Sequence, residues 1–157
     1  MDTAVVVTHA AATWFLAGLI WTIQVVHYPL FAEVGTERFP TYEAAHSARI
    51  TWVIVLPWAL QGLTTAALLL APPGGVSRWL VLGLAVLAAI PVVVTVAYSV
   101  PAHTILGGGF DAAAHARLTG TNWLRTAAWT AHALLVVPLL VQTLRGRLRP
   151  ARDLRPG

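Results

Sequence analysis

Residues 79–100, WLVLGLAVLAAIPVVVTVAYSV, form a continuous apolar stretch, and no charged residue occurs between Arg78 and Asp111. The hydrocarbon core of a bilayer is roughly 30 Å thick, and a helix of about 20 mainly apolar residues crosses it. This stretch has that length and character, so it predicts a transmembrane helix.

Three further stretches have the same character, at residues 4–31, 42–70 and 112–143. Residues that disfavour helix separate the four stretches. They are Pro40, Pro72–Gly75, Pro101 and Gly107–Gly109. We therefore predict an all-α fold, a polytopic membrane protein whose four transmembrane helices form an antiparallel bundle in residues 1–144. Residues 145–157 are expected to be a basic cytoplasmic tail.

The composition of the 157-residue chain agrees with this fold, because 57% of its residues are hydrophobic and only 10% are charged. Soluble domains carry about 25% charged residues. We therefore expect a lipid bilayer to surround most of the surface of this protein. The chain lacks the broad basic surface that nucleic-acid binding needs. It has no cysteine, which excludes disulfides, thiolate metal sites and cysteine nucleophiles.

The basic residues predict how the chain is oriented. Five of the ten lie in the tail, as Arg145, Arg147, Arg149, Arg152 and Arg155. The positive-inside rule places such a tail in the cytoplasm, and with four spans the N-terminus lies on the same side. We expect a multi-pass protein of the plasma membrane with both termini cytoplasmic. The connections at 33–43 and 101–115 then face outward.

Alternating topology brings four of the six histidines to the outer face. They are His27, His46, His103 and His115. Imidazole is a good ligand for zinc, copper and iron. We expect a transition metal held by His27, His46 and His103. Of the other two, His9 is expected at the opposite interface and His132 in the buried core.

Carboxylates at helical spacing accompany these histidines. Glu43 lies three residues before His46, and Asp111 lies four before His115, so each pair shares a helix face. Glu-x-x-His recurs in di-iron carboxylate bundles. We expect Glu43, Asp111 and His115 to be additional metal ligands or partners of the ligands, with iron or copper favoured over zinc. The structural alternative is that Glu43 interacts with the helix dipole and Asp111 caps the last helix.

Polar residues recur along one face of the last helix. They are Asn122, Arg125, Trp129 and His132. Ionisable side chains in spanning helices usually face the bundle interior. We expect Arg49, Asn122 and Arg125 to be catalytic, binding a substrate oxygen or stabilising developing negative charge. In the structural alternative, Arg125 reaches toward the interface and Arg49 pairs with Glu43 or Glu37.

Several short motifs support a family resemblance. They are Gln24-Val25-Val26-His27-Tyr28-Pro29, Pro101-Ala102-His103, Gly109-Phe110-Asp111 and Asn122-Trp123-Leu124-Arg125. Together they resemble a group of small, uncharacterised bacterial membrane proteins, over all four helices. Asn122 and Arg125 also match the Asn-x-x-Arg pattern in the last helix of the anthrone-oxygenase-like membrane family. This more distant resemblance implies oxidation of a phenolic polyketide by molecular oxygen.

These features predict an enzyme, a membrane-embedded oxidoreductase with a non-haem metal at the outer face. Its substrate would be a lipophilic small molecule, such as a quinone, phenol or polyketide, that enters from the bilayer. Three alternatives stay open. A haem b protein would use two histidines as axial ligands for electron transfer. A zinc-dependent hydrolase would use Glu43 as general base. A non-catalytic small transporter or assembly factor would have a polar path along Gln61, Thr65, Arg125 and His132.

Overall fold

The computed structural model describes residues 3–148, and nearly all of them are helical. Four helices are long and apolar enough to cross a membrane. They comprise Thr3–Glu33, Phe39–Leu70, Arg78–Gly107 and Ala112–Gly146. This part of the chain contains no β-strand. The predicted all-α bundle of four transmembrane helices is confirmed, whereas residues 149–157 of the predicted tail lie outside the described residues.

The spans are built from five α-helices in the described range. They are α1 (Thr3–Thr22), α2 (Phe39–Leu70), α3 (Arg78–Val94), α4 (Val100–Gly107) and α5 (Ala112–Leu148). A π-helical segment (Ile23–His27) and a 3₁₀ helix (Pro29–Glu33) extend α1. A second π-helical segment (Thr95–Ser99) joins α3 to α4, so the third span is continuous.

Three helix boundaries differ from the prediction. Helix α2 begins at Phe39, ahead of the expected position. The third span continues to Gly107 instead of ending before Pro101, because the π-helical segment that precedes this proline accommodates its ring. Helix α5 continues to Leu148, beyond its expected end at residue 143, so it includes the first residues of the predicted basic tail.

Each π-helical segment is followed two residues later by a proline, Pro29 or Pro101. In an α-helix a proline ring clashes with the carbonyl four residues earlier. The wider turn relieves this clash: the Tyr28 N–H donates to the Ile23 carbonyl, five residues back, at 2.9 Å. The second segment closes in the same way. Single π turns inside helices often mark functional sites.

A hydrogen-bonded layer crosses the middle of the bundle. The Trp129 Nε1–H donates to Gln61 Oε1 at 3.0 Å, and the Gln61 amide donates to Thr13 Oγ1 at 3.0 Å. All three side chains are buried. Apolar clusters pack on either side of this layer, one around Phe31 and the other around Leu68. The layer therefore ties α1, α2 and α5 together and divides the core into two halves.

Large apolar side chains cover the outside of the bundle. Trp52, Leu70 and Trp79 are each more than 80% exposed. Such exposure is unfavourable in water, by about 25 cal/mol for each Å² of apolar surface, and is unproblematic in lipid. Trp79 and Trp123 are both exposed, as expected for tryptophans that contact the bilayer.

Candidate functional site

Four histidines come together at one end of the bundle, as predicted. This histidine-rich end contains His27, His46, His103 and His115. Tyr28 links two of them, because its hydroxyl lies 3.2 Å from His103 Nε2 and its carbonyl accepts a hydrogen bond from His115 Nε2 at 2.8 Å. Sequence reasoning missed Tyr28. The available signal was its position between a histidine and Pro29.

Two of these histidines form a hydrogen-bonded pair. His27 Nε2 lies 2.8 Å from His46 Nδ1, and the ring centroids are 4.7 Å apart. Phe31 packs edge-on against both rings. His46 is only 9% exposed, whereas His27 is partly exposed. The ring of His103 stacks on that of His46, with centroids 5.2 Å apart.

A carboxylate orients the third histidine. Glu43 Oε1 accepts hydrogen bonds from His103 Nδ1 at 2.6 Å and from the Ser47 hydroxyl at 3.0 Å. Glu43 is 1% exposed, and its Oε2 has no partner within residues 3–148. A carboxylate on Nδ1 fixes the ring and places Nε2 beside the Tyr28 hydroxyl. Glu43 thus joins the histidines as a hydrogen-bond partner of His103.

The remaining two predicted ligands have structural contacts. Asp111 Oδ1 accepts a hydrogen bond from the Ala114 N–H at 2.7 Å, which caps the start of α5. His115 stacks on Phe31 and donates to the Tyr28 carbonyl. Neither side chain is hydrogen-bonded to His27 or His46 within residues 3–148.

Arg125 is buried at the same end, with 4% of its surface exposed. Its Nη1 donates to Ser99 Oγ at 3.3 Å, and its guanidinium carbon lies 5.4 Å from the centroid of the Trp129 ring. It also interacts electrostatically with the Tyr28 hydroxyl. Its Nε has no hydrogen-bond partner, and no carboxylate pairs with it among residues 3–148.

The other two residues predicted to be catalytic lie elsewhere. Asn122 is fully buried and donates to Gln24 Oε1 at 2.8 Å. Gln24 in turn donates to the Thr119 carbonyl at 3.2 Å, so this amide pair joins the π-helical segment after α1 to α5. Arg49 is exposed on α2.

A cavity of about 550 Å³ lies between α2 and the third span. Its walls are mainly apolar and include Ile50, Ile54 and Trp58. Polar side chains from all four spans line it at the histidine-rich end. They include Tyr28, His46, Ser99, His103 and Arg125. Val55 and Val100 also line it and are at least half exposed on the apolar outer surface, so the cavity opens toward the bilayer.

The predicted metal site finds no support in this arrangement. Within residues 3–148, no three histidine, aspartate or glutamate side chains are grouped to hold a metal ion. Both nitrogens of His103 are hydrogen-bonded, and His27 and His46 bond to each other. A metal at His27, His46 and His103 stays a prediction. A haem b held by two histidines likewise stays a prediction.

A second histidine pair lies deep in the other half of the core. His9 Nε2 is 3.0 Å from His132 Nε2, and His9 Nδ1 is 2.9 Å from Thr64 Oγ1. Both histidines are 0% exposed. The predicted burial of His132 is confirmed. The predicted interfacial position of His9 was wrong, because α1 presents this residue to the bundle interior.

The histidine-rich end thus combines a cavity open to lipid, a buried arginine with no carboxylate partner among residues 3–148, and the hydrogen-bonded series Glu43, His103 and Tyr28. These features can hold an oxygen-bearing head group at the polar end of an apolar pocket. Comparison of the chain with models of known protein families, with curated proteins and with solved structures gave no match.

Proposed function

We propose that the chain is a membrane-embedded oxidoreductase that acts on a lipophilic phenol or hydroquinone at the histidine-rich end. The substrate enters the cavity from the bilayer, places its hydroxyl oxygen beside Arg125, and loses its hydroxyl proton to His46. Molecular oxygen then oxidises the deprotonated substrate. By the positive-inside rule, the histidine-rich end faces outward.

The environment of Arg125 is the observation that carries this proposal. Charged side chains inside the membrane region are costly and normally pair with an opposite charge. Arg125 is buried, yet its described neighbours are the Ser99 hydroxyl, the Tyr28 hydroxyl and the Trp129 ring, all without formal charge. A phenolate oxygen in the cavity supplies a negative charge at this point. The site therefore binds the deprotonated substrate better than the neutral one.

The shape and surface of the cavity support a lipophilic substrate. Small-molecule sites typically enclose about 300–1,000 Å³ and combine apolar walls with a few polar groups. The cavity of about 550 Å³ falls in this range. Ile50, Ile54 and Trp58 suit an aromatic ring or alkyl chain, and the opening beside Val55 and Val100 gives access from lipid.

His46 is the best-placed proton acceptor at the polar end of the cavity. A general base must have a nitrogen within reach of the proton that it removes. His46 lines the cavity, its Nδ1 bonds to His27, and its Nε2 has no hydrogen-bond partner within residues 3–148. His103 also lines the cavity, but Glu43 and Tyr28 occupy its two nitrogens.

The proposed reaction converts hydroquinone and dioxygen to quinone and hydrogen peroxide. Two electrons and two protons leave the hydroquinone, and dioxygen takes up two of each. Deprotonation promotes the electron transfer, because a phenolate gives up an electron more readily than a phenol. Arg125 is one of the two residues that match the Asn-x-x-Arg pattern of the anthrone-oxygenase-like family. This resemblance supports dioxygen as the oxidant.

Arg125→Gln tests this function. With a hydroquinone that carries a decyl chain, we expect kcat/KM to fall by about 100-fold or more, the usual effect of removing a donor that stabilises an oxyanion. Quinone absorbance and oxygen uptake report the rate for protein in lipid nanodiscs, with empty nanodiscs as the blank. Arg117→Gln is the matched control, because Arg117 is exposed on the same helix. Equal rates in all samples, blank included, would refute the proposal.

A further inference from the structure

We propose that His46 and His27 form a proton relay, which carries the substrate proton from the cavity to water at the histidine-rich end. The relay rests on the proposed function for the source of its proton. Its two histidines span the boundary of the site, since His46 lines the cavity and His27 is partly exposed.

The contact between the two rings has the geometry that a proton transfer requires. His27 Nε2 and His46 Nδ1 are 2.8 Å apart, a good hydrogen-bond distance. This bond uses one nitrogen of each ring. His46 Nε2 is left for the substrate, and His27 Nδ1 is left for solvent, since neither has a hydrogen-bond partner in the described part of the chain. The four nitrogens therefore form a series from the cavity to the partly exposed end.

The proton balance of the relay is simple. A proton from the substrate hydroxyl binds His46 Nε2, the proton on His46 Nδ1 moves to His27 Nε2, and the proton on His27 Nδ1 leaves to water. One proton enters and one leaves, so both rings end neutral. The rings must then reorient before they transfer the next proton.

The surroundings of the pair favour this route. Phe31 packs edge-on against both rings. The titratable groups around the pair are Glu43, Tyr42, Tyr28 and His103. Glu43 and Tyr28 are hydrogen-bonded to His103 instead of to the pair, and Tyr42 contacts His27 only through its ring. No competing hydrogen bond to the pair occurs within residues 3–148.

The relay is tested by the deprotonation of a bound phenol, which needs no turnover. The probe is a nitrophenol with a decyl chain, whose absorbance changes when it becomes phenolate. Stopped-flow mixing with protein in nanodiscs gives the rate of this change. We expect His27→Ala to slow it by about tenfold or more, within the range for loss of a proton-transfer group. Imidazole added to the buffer is expected to restore most of the rate, since His27 is partly exposed.

His115→Ala is the matched control, because His115 lies at the same end but donates to a backbone carbonyl. Any loss of rate in this variant is expected to persist with imidazole. The relay is wrong if bound probe is not deprotonated, if His27→Ala keeps the full rate, or if imidazole has no effect on it. Rapid deprotonation without oxidation of the decyl hydroquinone would instead reject only the proposed oxidoreductase.

Discussion

The two histidine pairs of this bundle have nearly the same internal geometry and very different surroundings. Their nitrogen–nitrogen distances are 2.8 Å for His27–His46 and 3.0 Å for His9–His132. The first pair lies between a cavity and the end of the bundle. The second is wholly buried, with the layer around Trp129 on one side and the apolar cluster around Leu68 on the other. Access to substrate and water, rather than the contact itself, distinguishes a chemical role from a structural one.

Hydrogen bonding fixes the proton positions of the enclosed pair. The Thr64 hydroxyl donates to the Leu60 carbonyl at 2.6 Å, so it accepts from His9 Nδ1–H. His9 Nε2 must then accept from His132 Nε2–H. His132 Nδ1 is left without a partner in the described residues. The pair therefore links α1, α2 and α5 in one defined arrangement.

Replacing one histidine in each pair by leucine should give the largest contrast. We expect His46→Leu to slow deprotonation of the bound nitrophenol by about 100-fold or more, since the general base is lost. His132→Leu should keep the rate within about twofold, measured per folded protein by the same stopped-flow assay. A large loss in both variants would mean that the enclosed pair also takes part in the chemistry.

Metal ions should affect the two pairs differently. The expected change in the deprotonation rate is smaller than that caused by His46→Leu. Zinc binds imidazole nitrogens readily, and His27 is partly exposed. We expect zinc in the buffer to slow deprotonation by about tenfold or less by occupying the relay, and a chelator to restore the rate. Inhibition should disappear in His27→Ala and persist in His9→Leu. A catalytic metal at His27, His46 and His103 predicts the reverse, with the chelator inhibiting untreated protein and elemental analysis finding bound metal.

The smallest effect concerns stability. His132→Leu leaves His9 Nε2 buried without a donor, and we expect it to lower the free energy of unfolding by about 1–3 kcal/mol. The double variant His9→Leu/His132→Leu removes both partners and should recover most of this loss. Denaturation of the detergent-solubilised protein measures both values. Additive losses in the double variant would show that the hydrogen bond between the pair contributes little.

Sequence patterns predicted the spans well and the contacts poorly, for physical reasons. Apolar length and helix-breaking residues are enough to locate four helices. The predicted end of the third span was wrong because a π-helical turn accommodates Pro101 within the helix. A hydropathy pattern does not reveal such a turn. His9 was misplaced because α1 is apolar on every side, so no amphipathic pattern shows which face is interior.

The candidate site was predicted in part. Alternating topology was sufficient to bring His27, His46 and His103 together, because each lies near the same end of its span. Which nitrogen each ring offers depends on partners such as Tyr28 and Glu43, which come from other helices. The spacing along the last helix also placed Asn122 and Arg125 on one face, so both were predicted to be catalytic. Only Arg125 lines the cavity, because Asn122 is bonded to Gln24.

The π-helical segments have a consequence for how the site tolerates insertions and deletions. Each segment is equivalent to an α-helix with one residue inserted. The insertion rotates all later residues of that span about the helix axis. One residue corresponds to about 100° of rotation in an α-helix. Deleting a single residue within Thr95–Ser99 would convert this π-helical segment to regular α-helix. The deletion would rotate His103 away from Glu43. The site thus depends on residue number as well as residue type, and a one-residue deletion there should disrupt it as thoroughly as loss of a histidine.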